Sequence, residues 1–239
     1  MQVDILAIGI HPDDVELSCS GTLLQHAAMG KTFGILDLSR GELGTRGTPE
    51  IREAEAKEAA RVLGAQFRQI LDIPDGLFTH SPDNWLKIVQ VIRACRPEII
   101  LCNAPDDRHP DHGRAAKMTA DACFYAGLEK IETFDNQGNL QEKWRPKAVY
   151  HYIQDRQLTP DFVVDISTVF DKKMEAILAF RSQFYDPNDA GPATPISGKD
   201  FLDFMDAKAR VFGRSISATH AEGFICARIP GVKNLFDLQ

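Results

Sequence analysis

Short apolar runs alternating with longer amphipathic stretches are the feature of this 239-residue sequence that most restricts its fold. "VDILAIGI" (3–10), "TFGILDLS" (32–39) and "EIILCN" (98–103) have the length and β-branched content of buried strands. Between them lie helix-like segments: "VELSCSGTLLQHAAMG" closing on Gly30, "TPEIREAEAKEAARVLG" closing on Gly64, and "DNWLKIVQVIRACRP" ending before Pro97. Thr48 followed by Pro49 is a helix start signal, because proline fits the first turn. A strand–helix–strand rhythm predicts right-handed βαβ crossovers. The expected fold is α/β: a single Rossmann-like, doubly wound, mostly parallel sheet with helices on both faces, in one domain over residues 1–239.

Beyond residue 130 the pattern loosens. "RPKAVYHYI" and "DFVVDIS" are strand-like, while "TVFDKKMEAILAFRSQF" and "SGKDFLDFMDAKARVFGR" are helix-like. Between those helices "YDPNDAGPATPISG" (185–198) carries the Pro, Gly, Asp and Asn of a mobile surface loop. There is no internal repeat and no low-complexity tract.

Charge narrows the partners. The formal net charge is −7 and the basic residues are dispersed, so no patch can track phosphates and nucleic acid is not an expected partner. Cys19, Cys95, Cys102, Cys123 and Cys226 are odd in number, widely spaced and free of any CxxC pair, which suits small core hydrophobes in a reducing cytoplasm. The N-terminus lacks a basic n-region and no apolar run approaches the ~20 residues that cross a bilayer, so neither export nor membrane attachment is expected.

Two clusters carry the chemistry. In "AIGIHPDDVELSCSG" the first strand gives way to His11, Asp13, Asp14 and Glu16; in "DDRHPDHGR" the strand "EIILCN" gives way to Asp106, Asp107, Arg108, His109, Asp111 and His112. Each cluster is the loop leaving the carboxyl end of a parallel strand, and in an open α/β sheet those ends share one edge, with ligands in the crevice where strand order reverses. Two histidines and an acidic residue around a divalent ion leave a position open for water, the arrangement that supports hydrolysis. Local readings stand beside this one: "DDVE" can be a capping box, with Asp13 accepting from early helical N–H groups and Glu16 reaching back, and "HPDH" can be a plain turn. A capping Asp13 is compatible with a functional one. Glu16 reads as purely local.

At these residues the sequence resembles the PIG-L/LmbE family of zinc-dependent N-acetylglucosamine deacetylases, through "HPDD" at 11–14 with Glu16, "HPDH" at 109–112, "SRGELGTRGTPEIREAE" after the second strand and "HAEGF" near the end. It looks most similar to the bacillithiol-biosynthesis deacetylases, which remove acetyl from N-acetylglucosaminyl malate. The resemblance implies that His11, Asp14 and His112 hold one zinc or another divalent ion. It implies that Asp13 is the general base that later protonates the leaving amine, and that His109, oriented by Asp111, is an imidazolium near the tetrahedral intermediate. A small amino-sugar conjugate is then the expected partner, and a homo-oligomer, a hexamer among similar proteins, the expected assembly.

Arg40, Arg46 and Arg52 follow the second strand on the same edge, and a guanidinium can grip a carboxylate through two hydrogen bonds. Arg52 and, with less support, Arg108 are the expected substrate-binding residues. His220 reads as a packed or surface histidine, and His26, His80 and His151 as structural. Tyr185 is a candidate donor from the mobile loop. Two rivals remain at this point: a single-metal hydrolase of another N-acyl or phosphoester substrate, and a non-catalytic metal-binding module. A dinucleotide site is disfavoured because "GIHPDDVE" stands where G-x-G-x-x-G would be.

Overall fold

The computed structural model describes residues 2–187 and 191–237. One sheet has the strand order β3-β2-β1-β4-β5-β7-β6, where β1 is Ile5–Gly9, β2 Phe33–Asp37, β3 Arg68–Ile70, β4 Ile99–Cys102, β5 Ala148–Tyr152, β6 Phe162–Asp165 and β7 Ala221–Cys226. β1 pairs in parallel with both β2 and β4, β2 with β3, and β4 with β5. β7 is antiparallel to β5 and β6, so it alone runs against the other described strands. The mixed α/β architecture follows the expectation, with this reversed strand as an addition. The helices are α1 (Asp14–Ser18), α2 (Ser20–Ala28), α3 (Pro49–Leu63), α4 (Pro82–Cys95), α5 (Pro110–Ala126), α6 (Phe170–Leu178) and α7 (Lys199–Arg214).

Strand β1 shows why both faces are covered. Successive side chains of a strand point to opposite faces; here Leu6 and Ile8 pack with α4 and α5 residues such as Ile88, Ile92 and Met118. Ile5 and Ala7 pack the other way, with Leu23 of α2, Leu63 of α3 and Ala176 of α6. Every residue of β1 and β2 is buried, hence the unbroken apolar runs in the sequence. Thr48 caps α3 by accepting from the Ile51 N–H at 3.3 Å, and Gly64 closes that helix at φ 77°. The stretch after β1 breaks at Cys19 into α1 and α2. The five cysteines are free thiols, four of them buried. Among the described residues no helix is long and apolar enough to cross a membrane.

A buried charge network ties the start of α1 to the sheet. The Arg68 guanidinium meets Asp37 at 2.6 and 2.8 Å and Glu16 at 2.5 Å. On the other side Lys173 Nζ donates to Glu222 at 2.6 Å and to the Glu16 and Leu17 carbonyls. Glu222 in turn accepts from the Gly21 and Thr22 N–H groups at the start of α2. Glu16 is therefore not the local cap its spacing suggests: it spans 52 residues of sequence to reach Arg68. The segment behind Asp13 and Asp14 is thereby fastened to β2, β3 and β7.

Removing one partner from such a network leaves buried charge uncompensated, which costs about 3–5 kcal/mol. Arg68→Met is therefore expected to lower the unfolding free energy by that order in a urea titration, and adding Glu16→Gln with Asp37→Asn should recover most of the loss. A single-variant change below about 1 kcal/mol would show that the network is not structural.

Candidate functional site

The two H-P-D clusters meet at the carboxyl edge of the sheet. β1 and β4 lie side by side, paired from Ile5 with Ile99 to Ile8 with Cys102, so their exit loops emerge together. Helix α5 starts at Pro110 with His109 as its cap. Asp14 begins α1 and packs directly over the end of β1, where a Cβ on Gly9 would lie 2.8 Å from that of Asp14. The His11 and His112 rings come within 5.6 Å, and His109 lies 4.8 Å from the first and 5.1 Å from the second.

Each of two histidines has one nitrogen held by a carboxylate and the other turned to Asp14. His112 Nδ1 is 2.5 Å from Asp107, leaving Nε2 3.2 Å from Asp14 Oδ1. His11 Nε2 is 2.9 Å from Asp75 and 3.5 Å from Asp111, leaving Nδ1 3.9 Å from Asp14 Oδ2. Donors bound to a first-row divalent ion at ~2.0–2.1 Å in tetrahedral array stand roughly 3.3 Å apart; the His112–Asp14 pair has that spacing and the His11–Asp14 pair is wider. A ligating imidazole whose second nitrogen is fixed by a carboxylate is the usual supporting arrangement. Imidazole and carboxylate donors of this kind suit a divalent cation. Nitrogens of His11, His109 and His112 also lie within 4.8 Å of one another, as do donors of His11, Asp75 and Asp111.

The electrostatics agree. Burial opposes charge on His11 and His112, yet hydrogen bonds to Asp111 and Asp75 raise His11, and the Asp14 charge with the Asp107 bond raises His112. Burial alone would lift Asp14 as well, but the same two imidazoles hold it well below the usual carboxylate range. The cluster of carboxylates favours positive charge at its centre.

Asp13 sits apart from this set. Burial raises its carboxyl above the ordinary range, the Arg52 charge acting against that rise. Its backbone has φ 117°, a left-handed conformation that is strained for a residue with a side chain by about 1–3 kcal/mol. Its side chain makes no cap bond to α1, so the capping-box reading does not hold.

Arg52 and Arg108 both line the cavity. The terminal nitrogens of Arg52 donate to the Gly41 and Pro12 carbonyls at 2.9 Å, and one lies 3.4 Å from Asp13. Gly41 stands at φ 66°, and a Cβ there would collide with the guanidinium. Arg108 pairs with Asp155. Arg40 is tied to Glu50 and Glu53 on α3, and Arg46 donates to the Ser182 and Pro192 carbonyls.

His109 is held by Asp111 through the main chain. Its Nδ1 accepts the backbone N–H of Asp111 at 3.2 Å, while the Asp111 carboxylate turns away to Gly76 N, Arg114 and His11. Asp111 therefore orients His109 through its main chain, because a side chain in the first turn of α5 is directed across the loop. Burial, reinforced by the His11 and His112 charges, lowers the His109 pKa. A neutral ring with Nδ1 accepting carries its hydrogen on Nε2.

Elsewhere His220 is packed against Phe170 and bonded to Asp206, and His151 is bonded to the Asn103 carbonyl. His80 pairs with Asp121, an acidic companion distant in sequence. Tyr185 does not line the main cavity, although Thr194, Pro195 and Ile196 of its loop do; residues 188–190 of that loop lie outside the described residues. The cavity holds about 410 Å³, with a wall from α7 made of Phe201, Phe204, Met205 and Lys208. Sequence reasoning missed Asp75, Asn103, Gln154 and this wall. The signal available was position, since Asn103 and Gln154 each stand just beyond a strand.

Comparison with known proteins gives the family of the chain. The sequence pattern of the family described as PIG-L, GlcNAc-PI de-N-acetylase, matches residues 6–123. A diacetylchitobiose deacetylase from Thermococcus kodakarensis is 30% identical over 95% of this chain and 84% of its own length. A probable N-acetyl-α-D-glucosaminyl L-malate deacetylase from Bacillus anthracis is 24% identical over 75% of this chain and 81% of its own. The crystal structure of the conserved protein TT1542 from Thermus thermophilus superposes with a TM-score of 0.83 at 37% identity, covering 97% of this chain and 98% of that one. Extended likeness to a deacetylase, over nearly the whole chain, places it in the PIG-L deacetylase family.

Proposed function

We propose that this protein hydrolyses the N-acetyl group of an N-acetylglucosamine conjugate, releasing acetate and the free amine, with a divalent ion, zinc by preference, held by His11, Asp14 and His112. The observation that carries the reading is the division between neighbouring carboxylates: Asp14 is held ionised between two imidazoles while Asp13, one residue away, keeps an elevated pKa. The bound cation supplies Lewis acidity toward the amide carbonyl and toward water. Asp13 takes a proton from the attacking water as oxygen adds to the carbonyl carbon, then returns it to the amine nitrogen as the C–N bond breaks. Arg52 keeps Asp13 in its strained pose. His109, neutral and donating from Nε2, faces the developing oxyanion. Release of acetate without a covalent enzyme intermediate follows from water as nucleophile.

The resemblance makes malate, as in N-acetylglucosaminyl malate, one aglycone. The cavity favours another. Its four lysine and arginine side chains, Arg46, Arg52, Arg108 and Lys208, already donate to protein oxygens. Arg108 uses only its Nε on Asp155, so its terminal nitrogens can meet a malate carboxylate without losing that bond, and charge alone does not decide the aglycone. Phe201, Phe204, Pro195 and Ile196 instead offer an apolar face of the kind on which a sugar ring stacks. A second sugar is therefore the preferred aglycone.

Asp13→Asn should keep wild-type affinity for zinc and lose acetate release by roughly two to four orders of magnitude, the range of general acid–base contributions. Full activity in that variant would remove Asp13 from the mechanism, and full activity after chelation would remove the ion. The acidic limb of kcat/KM should rise with pH, because Asp13 must ionise, and should lie above the ~3.9 of a free aspartate. A limb at or below that value would contradict the burial argument. Initial rates on diacetylchitobiose, N-acetylglucosaminyl malate and free N-acetylglucosamine are expected to fall in that order; preference for the malate conjugate would overturn the aglycone assignment, and phosphate release from matched esters would favour the rival hydrolase.

A further inference from the structure

Asp14 is surrounded by donors that no motif in the sequence announces. Asn103 follows β4 and is fully buried; Gln154 follows β5 and is 5% exposed. The orientation of both amides is dictated by backbone N–H groups, which can only donate. Ile10 N–H points at Asn103 Oδ1 at 3.0 Å, which turns the Asn103 NH₂ toward Asp14 Oδ2 at 2.9 Å and Gln154 Oε1 at 2.9 Å. Ala104 N–H points at Gln154 Oε1 at 3.2 Å, which turns the Gln154 NH₂ toward Asp14 Oδ1 at 3.0 Å. Neither amide can flip without setting an N–H against an N–H.

The count of acceptor sites then matters. A carboxylate offers about four lone-pair sites. On Asp14, Oδ2 takes the His11 N–H and Asn103, and Oδ1 takes Gln154. What remains is on Oδ1, the oxygen 3.2 Å from His112 Nε2. The backbone beneath is fixed too, because Lys208 of α7 donates to the Ile153 and Gln154 carbonyls.

We infer that Asn103 and Gln154 form an amide clamp that presets Asp14 to offer a single oxygen, Oδ1, to the cation, with Gln154 as a positioning residue for metal binding. The inference rests on the reading of Asp14 as a ligand. Three adjacent parallel strands contribute one member each, Asp14 after β1, Asn103 after β4 and Gln154 after β5. The clamp is therefore built by the pairing of the strands themselves. Outer partners of this kind typically change metal affinity 10–100-fold when lost.

The test uses metal-free full-length protein, with Zn²⁺ affinity from competition against a chromophoric chelator and the visible spectrum of the Co²⁺-loaded form. Gln154→Met keeps the side-chain length and removes the donor. It should weaken Zn²⁺ binding 10–100-fold and shift the Co²⁺ bands, while the unfolding midpoint of the metal-free variant stays within a few degrees of wild type. Asp14→Asn is the control. If Asp14→Asn loses the ion while Gln154→Met binds within twofold of wild type with an unshifted spectrum, the clamp is refuted and the ligand reading stands. If Asp14→Asn binds like wild type, the ligand reading fails and the clamp with it. Asn103→Asp replaces the donor to the other oxygen and carries the same readouts should Gln154→Met not fold.

Discussion

Parallel pairing of β1 with β4 is the constraint on which the site depends. These strands are separated by nearly a hundred residues, yet their registered pairing brings the loops after Gly9 and Cys102 to one edge. Strand order reverses there, with β2 and β3 to one side of β1 and β4 and β5 to the other, so the exit loops diverge and leave a crevice. A slip of one residue in that pairing would move every side chain of β1 to the opposite face and carry His11 away from His112. The different partners packed on its two faces, α4 and α5 against Leu6 and Ile8 and α2, α3 and α6 against Ile5 and Ala7, oppose such a slip.

The crevice collects more negative charge than it can neutralise by itself. Asp13, Asp14, Asp75, Asp107 and Asp111 are all buried around three imidazoles. Two of those rings are pulled toward the charged form and the third away from it. Two identical H-P-D spellings thus end with histidines in opposite roles. The difference comes from partners: His11 and His112 face carboxylates through their ring nitrogens, whereas His109 faces a backbone N–H at the start of a helix. Burial acts on all three, and the neighbours decide the outcome.

Much of the frame was legible because it is local. Uninterrupted apolar runs announce β1, β2 and β4, and Thr48, Pro49 and Gly64 mark the limits of α3 through hydrogen bonds made within a few residues. β3 was not legible, since three residues of partial burial carry no period, and neither was β7, whose Glu222 looks wrong for a buried strand until Lys173 is placed beside it. The capping-box spelling of "DDVE" misled for the same reason. Glu16 has the spacing to reach back along its own helix, but a buried guanidinium from Arg68 is a stronger partner than a neutral backbone N–H.

What the sequence determined by itself was the chemistry available: two clusters of imidazole and carboxylate, each placed by strand periodicity at the end of a buried strand. Tertiary structure alone decided how that chemistry is divided, which aspartate lies between the imidazoles, which nitrogen of each histidine is turned inward, and which amides grip Asp14. The physical reason is that protonation, tautomer and lone-pair direction are set within about 3 Å by groups that arrive from other strands. Separation along the chain contains no record of those neighbours.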